Sequence, residues 1–241
     1  SYIKVDNASK ALAFISANYY NEPSTKIKLV GVTGTNGKTT VATLLYQLFK
    51  KAGFKVGLIS TVKILVDTIE YKTMHTTPDS ILINKYLDEM VQLGCEFCFM
   101  EVSSIGIDQN RTTALEFAGG IFTNLSHDHL DYHSSFAEYR DIKKSFFDNL
   151  SKNAFAITNT DDKNGMLMLQ NTVAKKYTYA IKSFADYKAQ VLENHFTGLL
   201  LKINNKEVWA KLVGNFNAYN LLAIYGTALN LGLNEDEILK I

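Results

Sequence analysis

The sequence predicts an α/β fold in which a mostly parallel sheet is flanked by helices. Short apolar runs recur along the chain, and segments with apolar residues at helical spacing separate them, as βαβ units require. A glycine-rich loop joins the first apolar run, residues 27–32, to a helix-like segment. Alternating residues near 175–210 predict a small antiparallel extension of the sheet.

Length and composition fit one globular domain over residues 1–241. Of these residues 46% are hydrophobic and 12% aromatic, enough apolar material for a sizeable core. The net charge of +1 provides no general attraction to nucleic acid or anionic membranes. No apolar run approaches the roughly 20 residues that span a bilayer, and the N-terminus lacks a signal-peptide pattern. We therefore expect a cytoplasmic protein without nucleic-acid or membrane partners.

The first elements are a helix, a strand, a second helix and a second strand. Residues 7–20 place apolar side chains at helical spacing, and Asn21-Glu22-Pro23-Ser24 ends that helix. The strand at 27–32 leads through the glycine-rich loop into a helix that includes Val41–Phe49. Gly53 ends this helix, and Val56–Ser60 is short and apolar, as expected for the next strand.

The middle of the chain predicts a hairpin, a helix and two further strands. Residues Val62–Lys72 alternate as in a hairpin. Pro78 and Asp79 then provide start signals for a helix over Ser80–Leu93. Buried strands are predicted at Phe97–Val102 and Ala118–Thr123, because both runs are apolar and end in polar residues.

The last part of the chain continues the sheet and closes with a helix. Residues Phe136–Leu150 are amphipathic at helical spacing, and an apolar strand follows at Ala154–Thr158. Tyr177–Ala180 predicts another strand, and Val191–Trp209 alternate as antiparallel hairpins do. Apolar residues at helical spacing predict a final helix over Asn215–Leu229.

The loop Gly34-Thr35-Asn36-Gly37-Lys38-Thr39-Thr40 predicts a phosphate-binding site. Its glycines allow backbone N–H groups to face phosphate oxygens, and the following helix adds partial positive charge. Lys38 adds a full charge, and the Thr39 hydroxyl suits a magnesium ion. Val32 stands where the general P-loop pattern has glycine, so the loop is a variant. A plain strand-to-helix turn is the alternative, but it would leave Lys38 and two threonine hydroxyls without a role.

Polar residues follow other predicted strands, where open parallel sheets collect ligands. Glu101 ends one strand, and its position predicts a contact to magnesium, direct or through water, with a solvated carboxylate as the alternative. His127, His129 and His133 follow the next strand beside an aspartate and are three of the five histidines. This cluster predicts at least one metal ligand, and the spacing leaves open which residue it is.

Six motifs occur in the order and spacing of the Mur ligases, and the sequence resembles that family over residues 8 to about 240. They are T-G-T-N-G-K-T-T, T-T-P-D, M-E-V-S-S, N-L-S-x-D-H-L-D-Y-H, Y-R-x-x-K-K and G-x-F-N-x-Y-N. The resemblance implies a P-loop NTPase-like central domain of an ATP-dependent amide-bond ligase in peptidoglycan precursor synthesis. The motifs are most similar to those of ligases that add meso-diaminopimelate or L-lysine to UDP-N-acetylmuramoyl-L-alanyl-D-glutamate through an acyl phosphate.

The resemblance also implies roles for single residues. Lys38 would contact the β- and γ-phosphates of ATP, Thr39 and Glu101 would bind one Mg²⁺, and His129 a second. Lys143, fourteen residues after His129, matches a lysine that is carbamylated in the family and would then also approach the metal. Lys38, His129 and Lys143 are thus the implied catalytic residues. The implied ligand contacts are Asn217 and Asn220 beside adenine, and Thr76, Thr77, Ser104 and Arg111 on the UDP-linked peptide. The alternatives are a surface charge for Arg111, a residue at a helix N-terminus for Asn217 and a solvated helix lysine for Lys143.

Two departures from the family pattern bear on function. Ile105 stands where the family usually has histidine after E-V-S-S. The family also has a uridine-binding domain before and an amino-acid-binding domain after the central domain, and the sequence begins and ends where that domain does. We therefore expect a monomeric ATP-binding core that is not a complete ligase and acts on small molecules.

Two other functions stay open. The first is a folylpolyglutamate synthetase-like ligase, which shares the P-loop, although T-T-P-D and M-E-V-S-S argue against it. The second is a nucleotide-binding module without ligase activity. A guanine-dependent switch of that kind would carry an N-K-x-D-like motif, which the sequence lacks.

Overall fold

A computed structural model describes residues 4–128 and 132–240. In this part of the chain the helices are α1 (Ala8–Tyr19), α2 (Lys38–Lys51), α3 (Ser80–Gln92), α4 (Ser104–Asp108), α5 (Phe136–Asp148), α6 (Gly165–Met168), α7 (Asn215–Asn230) and α8 (Glu235–Ile238). The strands are β1 (Lys28–Thr33), β2 (Val56–Ile59), β3 (Ile64–Val66), β4 (Ile69–Tyr71), β5 (Phe97–Glu101), β6 (Gly119–Phe122), β7 (Phe155–Asn159), β8 (Lys175–Ala180), β9 (Tyr187–His195), β10 (Gly198–Ile203) and β11 (Lys206–Ala210).

These strands form one sheet in the order β11-β10-β9-β8-β7-β6-β1-β5-β2-β3-β4. Strands β9, β8, β7, β6, β1, β5 and β2 pair in parallel. An antiparallel hairpin extends each edge, β3–β4 on one side and β10–β11 on the other. The predicted α/β class is therefore confirmed. The antiparallel pairing of the predicted extension begins only between β9 and β10, because β8 lies parallel to β7 and β9 lies parallel to β8.

Both faces of the central sheet are covered by helices. Val30 and Val32 of β1 face a core that includes apolar residues of α2 and α7. Leu29 faces a second core formed with α3 and α5, because successive side chains of a strand point to opposite faces. This two-sided burial explains why the central strands are apolar throughout. No helix in residues 4–128 and 132–240 is long and apolar enough to cross a membrane.

The predicted helices and strands are present, and three short helices were not predicted. Helix α4 has five residues, and α6 and α8 have four each, so none of them is long enough to show a helical repeat in the sequence. Helix α4 begins at a local signal, since the Ser103 hydroxyl accepts the Gly106 N–H at 3.0 Å. This helix lies directly after β5 and therefore at the same edge of the sheet as the P-loop.

Candidate functional site

The glycine-rich loop between β1 and α2 has a backbone shape that requires its glycines. Gly34 and Gly37 have φ angles of 146° and 89°. A Cβ at Gly34 would collide with the Thr123 hydroxyl, and one at Gly37 would lie 2.6 Å from the Asn220 side-chain oxygen. Helix α2 begins at Lys38 without a side-chain cap, so its first N–H groups face the loop. This is the geometry that binds phosphate at a helix N-terminus.

A second loop, residues 123–126 after β6, holds the P-loop in this shape. The Thr35 N–H donates to the Asn124 carbonyl at 2.8 Å, and the Asn36 N–H donates to the Asn124 side-chain oxygen at 3.0 Å. In return, the Thr123 hydroxyl and the Asn124 amide donate to the Asn36 carbonyl at 2.7 and 3.0 Å. This supporting role was not predicted from the sequence, where its signal is a Thr-Asn pair at a strand end.

Lys38 lies folded over the P-loop. Its Nζ donates to the carbonyl oxygens of Gly34 at 3.0 Å and Thr35 at 2.9 Å. Burial lowers the pKa of Lys38, while the charges of Glu101 and Asp128 act in the opposite direction. The amine therefore sits in a partly desolvated cleft where an anionic phosphate would be a strong partner.

Glu101 is fully buried at the end of β5, next to Val32 of β1 in the parallel register. Its Oε1 accepts the Thr61 N–H at 2.7 Å, and its Oε2 accepts the Thr61 hydroxyl at 3.1 Å. The alternative of a solvated strand-end carboxylate is therefore wrong. A buried carboxylate held by two hydrogen bonds close to Lys38 is a fixed negative charge beside the phosphate cradle.

Lys143 of α5 is also buried, with 1% of its surface exposed. Its Nζ donates to the Gly34 carbonyl at 3.1 Å and lies 4.7 Å from the centre of the Tyr139 ring. Burial holds the pKa of Lys143 well below its usual range, the nearby charge of Lys38 lowers it further, and Asp128 opposes both. A lysine in this environment loses its proton more easily than an exposed lysine does, and a neutral amine can act as a nucleophile.

The structure describes two of the three histidines in the predicted metal-binding cluster. His129 lies outside the described residues. His127 packs against Phe136 with ring centres 4.6 Å apart, and His133 Nε2 lies 2.9 Å from the Ser104 hydroxyl. Within the described ranges, no group of three or more His, Cys, Asp or Glu residues is placed to hold a metal ion.

Two of the predicted ligands have the chemistry that magnesium prefers. Thr39 lies in the first turn of α2, and Glu101 ends the strand next to β1. Mg²⁺ commonly takes only one or two protein oxygens and completes its shell with water and substrate phosphates. Thr39 and Glu101 fit that pattern at a phosphate cradle.

A cavity of about 840 Å³ opens beside the P-loop. Asn220 lines it, and Asn217 is buried behind, where its side chain donates to the Val213 carbonyl at 2.8 Å and accepts the Asn220 amide at 3.0 Å. Of the two residues predicted to lie beside adenine, Asn220 therefore faces the cavity, and Asn217 orients the Asn220 side chain. The volume is that of a small-molecule site. The full lining is Asn36, Gly37, Thr40, Thr123, Asn124, Leu125, Ser126, Asn159, Asp161, Asp162, Phe216, Tyr219 and Asn220.

Three of the four predicted substrate contacts gather near the end of β5. The Thr77 hydroxyl donates to the Glu101 carbonyl at 2.9 Å and accepts the Ser103 N–H at 3.0 Å. Arg111 donates to the Thr77 carbonyl at 2.6 Å, and Ser104 starts α4 beside them.

The hydroxyl of the fourth, Thr76, lies 3.1 Å from the Thr61 hydroxyl. Thr61 also holds Glu101, so Thr76 belongs to the same network. All four residues are thus near the P-loop edge of the sheet and engaged with the protein itself, and their contact with a substrate stays a prediction.

We expect Lys143→Met to stabilise the protein at neutral pH. The pKa of Lys143 is lowered in the folded state. In the pH window between this lowered pKa and the ordinary value of 10.5, the unfolded chain therefore binds more protons than the folded chain. Wild-type stability should therefore rise with pH through this window, and the gain from methionine, about 1–2 kcal/mol at neutral pH, should shrink. Thermal unfolding as a function of pH measures both effects.

Lys144→Met is the matched control for this prediction. Lys144 is the next residue of α5 and pairs with Asp148 at 2.6 Å. Its replacement removes a partner from a charged pair and should not stabilise the fold. Equal stabilisation by both variants would contradict the assignment of a buried, deprotonation-prone Lys143.

Comparison with known proteins shows the family of this chain. A family model for the Mur ligase middle domain matches residues 32–228. A relative from Parabacteroides distasonis, named UDP-N-acetylmuramoyl-L-alanyl-D-glutamate--2,6-diaminopimelate ligase, is 54% identical over 239 residues, which are 99% of this chain and 49% of the relative. A ligase of the same name from Clostridium tetani is 38% identical over 97% of this chain and 48% of its own length. The chain thus spans about half the length of the curated relatives it matches.

Solved structures share the fold. A ligase structure with the same name as these relatives has a TM-score of 0.86 at 24% identity, covering 100% of this chain and 52% of the other. MurF from Acinetobacter baumannii has a TM-score of 0.78 at 17% identity, covering 99% and 50% of the two chains. The family model matches most of the sequence, including the P-loop and the G-x-F-N-x-Y-N motif at residues 214–220. This chain therefore belongs to the Mur ligase family and matches its middle domain.

Proposed function

We propose that the chain is the ATP-binding domain of a ligase that adds meso-diaminopimelate to UDP-N-acetylmuramoyl-L-alanyl-D-glutamate. The observation that carries this proposal is the convergence of two lysine amines on one P-loop carbonyl. Lys38 and Lys143 lie 3.0 and 3.1 Å from the Gly34 oxygen. A simple nucleotide-binding loop needs only the first amine. The names of relatives at 54% and 52% identity favour diaminopimelate over L-lysine.

In this proposal ATP lies across the P-loop and the adjoining cavity. The N–H groups at the start of α2 and Lys38 hold its phosphates. The nucleoside occupies the 840 Å³ cavity, with adenine beside Asn220. Thr39 and Glu101 provide oxygen ligands for one Mg²⁺, which neutralises charge on the phosphates when bound. The four residues near β5 contact the UDP-linked peptide, namely Thr76, Thr77, Ser104 and Arg111.

The reaction has two steps. First, the carboxylate of the terminal D-glutamate attacks the γ-phosphorus of ATP, the bond to the β-phosphate oxygen breaks, and ADP leaves. Second, the amine of the incoming amino acid attacks the acyl phosphate, inorganic phosphate leaves, and the amine loses a proton. Little covalent work falls to the protein, so its main contribution is to position the groups and stabilise charge. Lys38 serves this role because its amine can contact the oxygens of the transferring group.

Lys143 enters this proposal as a carbamate. The neutral amine attacks carbon dioxide, a C–N bond forms, and the nitrogen releases a proton to solvent. The buried neutral amine thereby becomes an anion with oxygen ligands, which a hard metal ion prefers. The lowered pKa of Lys143 supports the required neutral amine. We extend the proposal to two Mg²⁺ ions, with His129 on the second, and to a monomer in the bacterial cytoplasm.

We expect the 241-residue chain to bind Mg-ATP and to make no tripeptide product by itself. The chain spans about half of its relatives' length, and we propose that the other half provides the uridine and amino-acid sites. Without these sites the reacting groups are not held in attack geometry. Calorimetry with Mg-ATP and mass spectrometry of a complete reaction mixture measure the two outcomes.

The control is the full-length protein from the same source under identical conditions, which should form product. Failure of the chain to bind ATP would refute the proposed function. Product formation by the chain alone would refute the proposal that the other half of the protein provides the uridine and amino-acid sites. The assignment as a ligase would still stand.

A further inference from the structure

The loop after β7 carries a carboxylate, Asp161, that has no role in the proposed phosphate chemistry. Its Oδ2 accepts the N–H groups of Ile181 at 2.9 Å and Lys182 at 2.8 Å. Its Oδ1 accepts the N–H of Ser183 at 2.8 Å. Successive backbone N–H groups of this kind form a concave anion-binding turn, and here the protein's own carboxylate fills it. Asp161 thus ties the loop after β7 to the loop after β8.

The same carboxylate also reaches α7. The Tyr219 hydroxyl donates to Asp161 Oδ2 at 2.9 Å, and both residues line the 840 Å³ cavity. The next residue of α7, Asn220, places its side-chain oxygen against Gly37 of the P-loop. Asp161 is therefore joined to the helix that forms the wall of the cavity opposite the P-loop glycine.

The charge states of this pair are fixed at physiological pH. Burial alone would raise the pKa of Asp161, but the hydrogen bonds from Ser183, Lys182 and Ile181 outweigh it and hold the pKa well below its usual range. Burial and the neighbouring carboxylate raise the pKa of Tyr219 to about 12. Asp161 is therefore an anion and Tyr219 a phenol donor, so their hydrogen bond is charge-assisted.

Asp162, the next residue, acts on a different part of the cavity. Its Oδ2 accepts the Leu125 N–H at 2.8 Å, within the loop 123–126 that holds the P-loop. Adjacent carboxylates therefore brace two different walls of the cavity. Asp162 supports the phosphate side, and Asp161 supports the side formed by α7.

We propose that Asp161 is a positioning residue for the nucleoside half of the ATP site. Its carboxylate joins the loops after β7 and β8 to Tyr219 and so sets the distance between α7 and the P-loop, where a purine nucleoside has to fit. This inference rests on the proposed ATP binding and extends it to a residue that contacts no phosphate. It predicts a selective effect: loss of the carboxylate weakens binding of the whole nucleotide but not of its phosphates alone.

The test compares Mg-ATP with Mg-tripolyphosphate by calorimetry. Asp161→Asn puts an amide donor among N–H donors, and we expect it to weaken ATP binding about tenfold or more and tripolyphosphate binding less than about twofold. Tyr219→Phe removes one hydrogen bond and should weaken ATP binding by about threefold to tenfold. Asp186→Asn is the control, because Asp186 likewise accepts a backbone N–H, from Thr178 at 2.8 Å, and lies outside the cavity lining.

Amide hydrogen exchange gives a second readout that needs no ligand. Asp161→Asn should accelerate exchange at Ile181, Lys182 and Ser183 and in the first turns of α7, whereas Asp186→Asn should leave these amides unchanged. If Asp161→Asn does not fold, as judged by circular dichroism, Tyr219→Phe must show the ATP-selective loss.

The proposal is overturned if wild type binds ATP and both variants bind it as tightly, or if ATP and tripolyphosphate are weakened equally. The first outcome removes any positioning role, and the second reduces Asp161 to general support of the fold. If wild type binds tripolyphosphate but not ATP, the proposed function itself fails at the nucleoside. Unchanged amide hydrogen exchange at residues 181–183 in Asp161→Asn would independently refute the proposal that Asp161 holds the loop after β8.

Discussion

Replacement of Lys38 by alanine should weaken Mg-ATP binding by about 1.5–3 kcal/mol, or roughly 10- to 150-fold, because a hydrogen bond to a charged group is lost. The Lys38 amine lies over the P-loop, 3.0 Å from the Gly34 carbonyl and 2.9 Å from the Thr35 carbonyl. Substrate phosphates would exchange these neutral partners for full negative charges. Calorimetry on the 241-residue chain measures the loss.

Lys50→Ala is the control for this experiment. Lys50 lies in the last turn of the same helix, where it pairs with Asp67, and it is remote from the P-loop. Its replacement should leave ATP affinity unchanged. If Lys38→Ala binds ATP as tightly as wild type and Lys50→Ala do, the loop is not the phosphate site. That result would refute the proposed function.

The strands and the P-loop could be predicted because their signals are local. Phe97–Glu101 is apolar along its whole length, as a strand buried on both faces must be, and Gly34 and Gly37 bracket a turn that only glycine adopts without strain. Each of these features is determined within a few residues. Sequence spacing alone is enough to recognise them.

The supports of the P-loop could not be predicted in this way. Asn36 and Asn124 exchange hydrogen bonds across 88 residues of sequence, and Asp161 reaches Tyr219 across 58. Such pairs depend on which strands become neighbours, and the order of β6, β1 and β7 in the sheet follows from packing of the whole domain. An Asp or Asn at a strand end is too common to reveal its partner.

Lys143 is an intermediate case. In α5 the buried residues Tyr139, Lys143 and Phe146 recur at helical spacing, so the lysine lies on the apolar face of the helix. That position argues against a solvated lysine, but it does not identify what the amine touches. The contact with Gly34 spans 109 residues and required the folded chain.

The largest expected effect belongs to Lys143. In the full-length protein Lys143→Ala should lower ligase activity by at least about 100-fold, the usual cost of removing one preorganised charge-stabilising group from an active site. Short carboxylates such as acetate or propionate should restore part of the activity. They can enter the space that the side chain vacates and supply the anionic oxygens of the proposed carbamate.

Lys144→Ala separates this role from a general effect on α5. Lys144 is the adjacent residue and is paired with Asp148, so its loss should leave activity near wild type and independent of added carboxylate. Carbon-13 NMR in labelled bicarbonate provides a readout that does not depend on activity. A carbamate signal should appear in wild type and in Lys144→Ala and be absent from Lys143→Ala.

The two measurements together decide the role of Lys143, because its buried amine permits two chemistries. As a carbamate it supplies anionic oxygens for a metal ion, and then both the NMR signal and the rescue by carboxylates depend on it. As an unmodified amine it only donates to the Gly34 carbonyl, which Lys38 also contacts, so its loss would leave that oxygen with a partner. Full activity of Lys143→Ala without any additive would establish the second case, and the metal site would then have to be built without this residue.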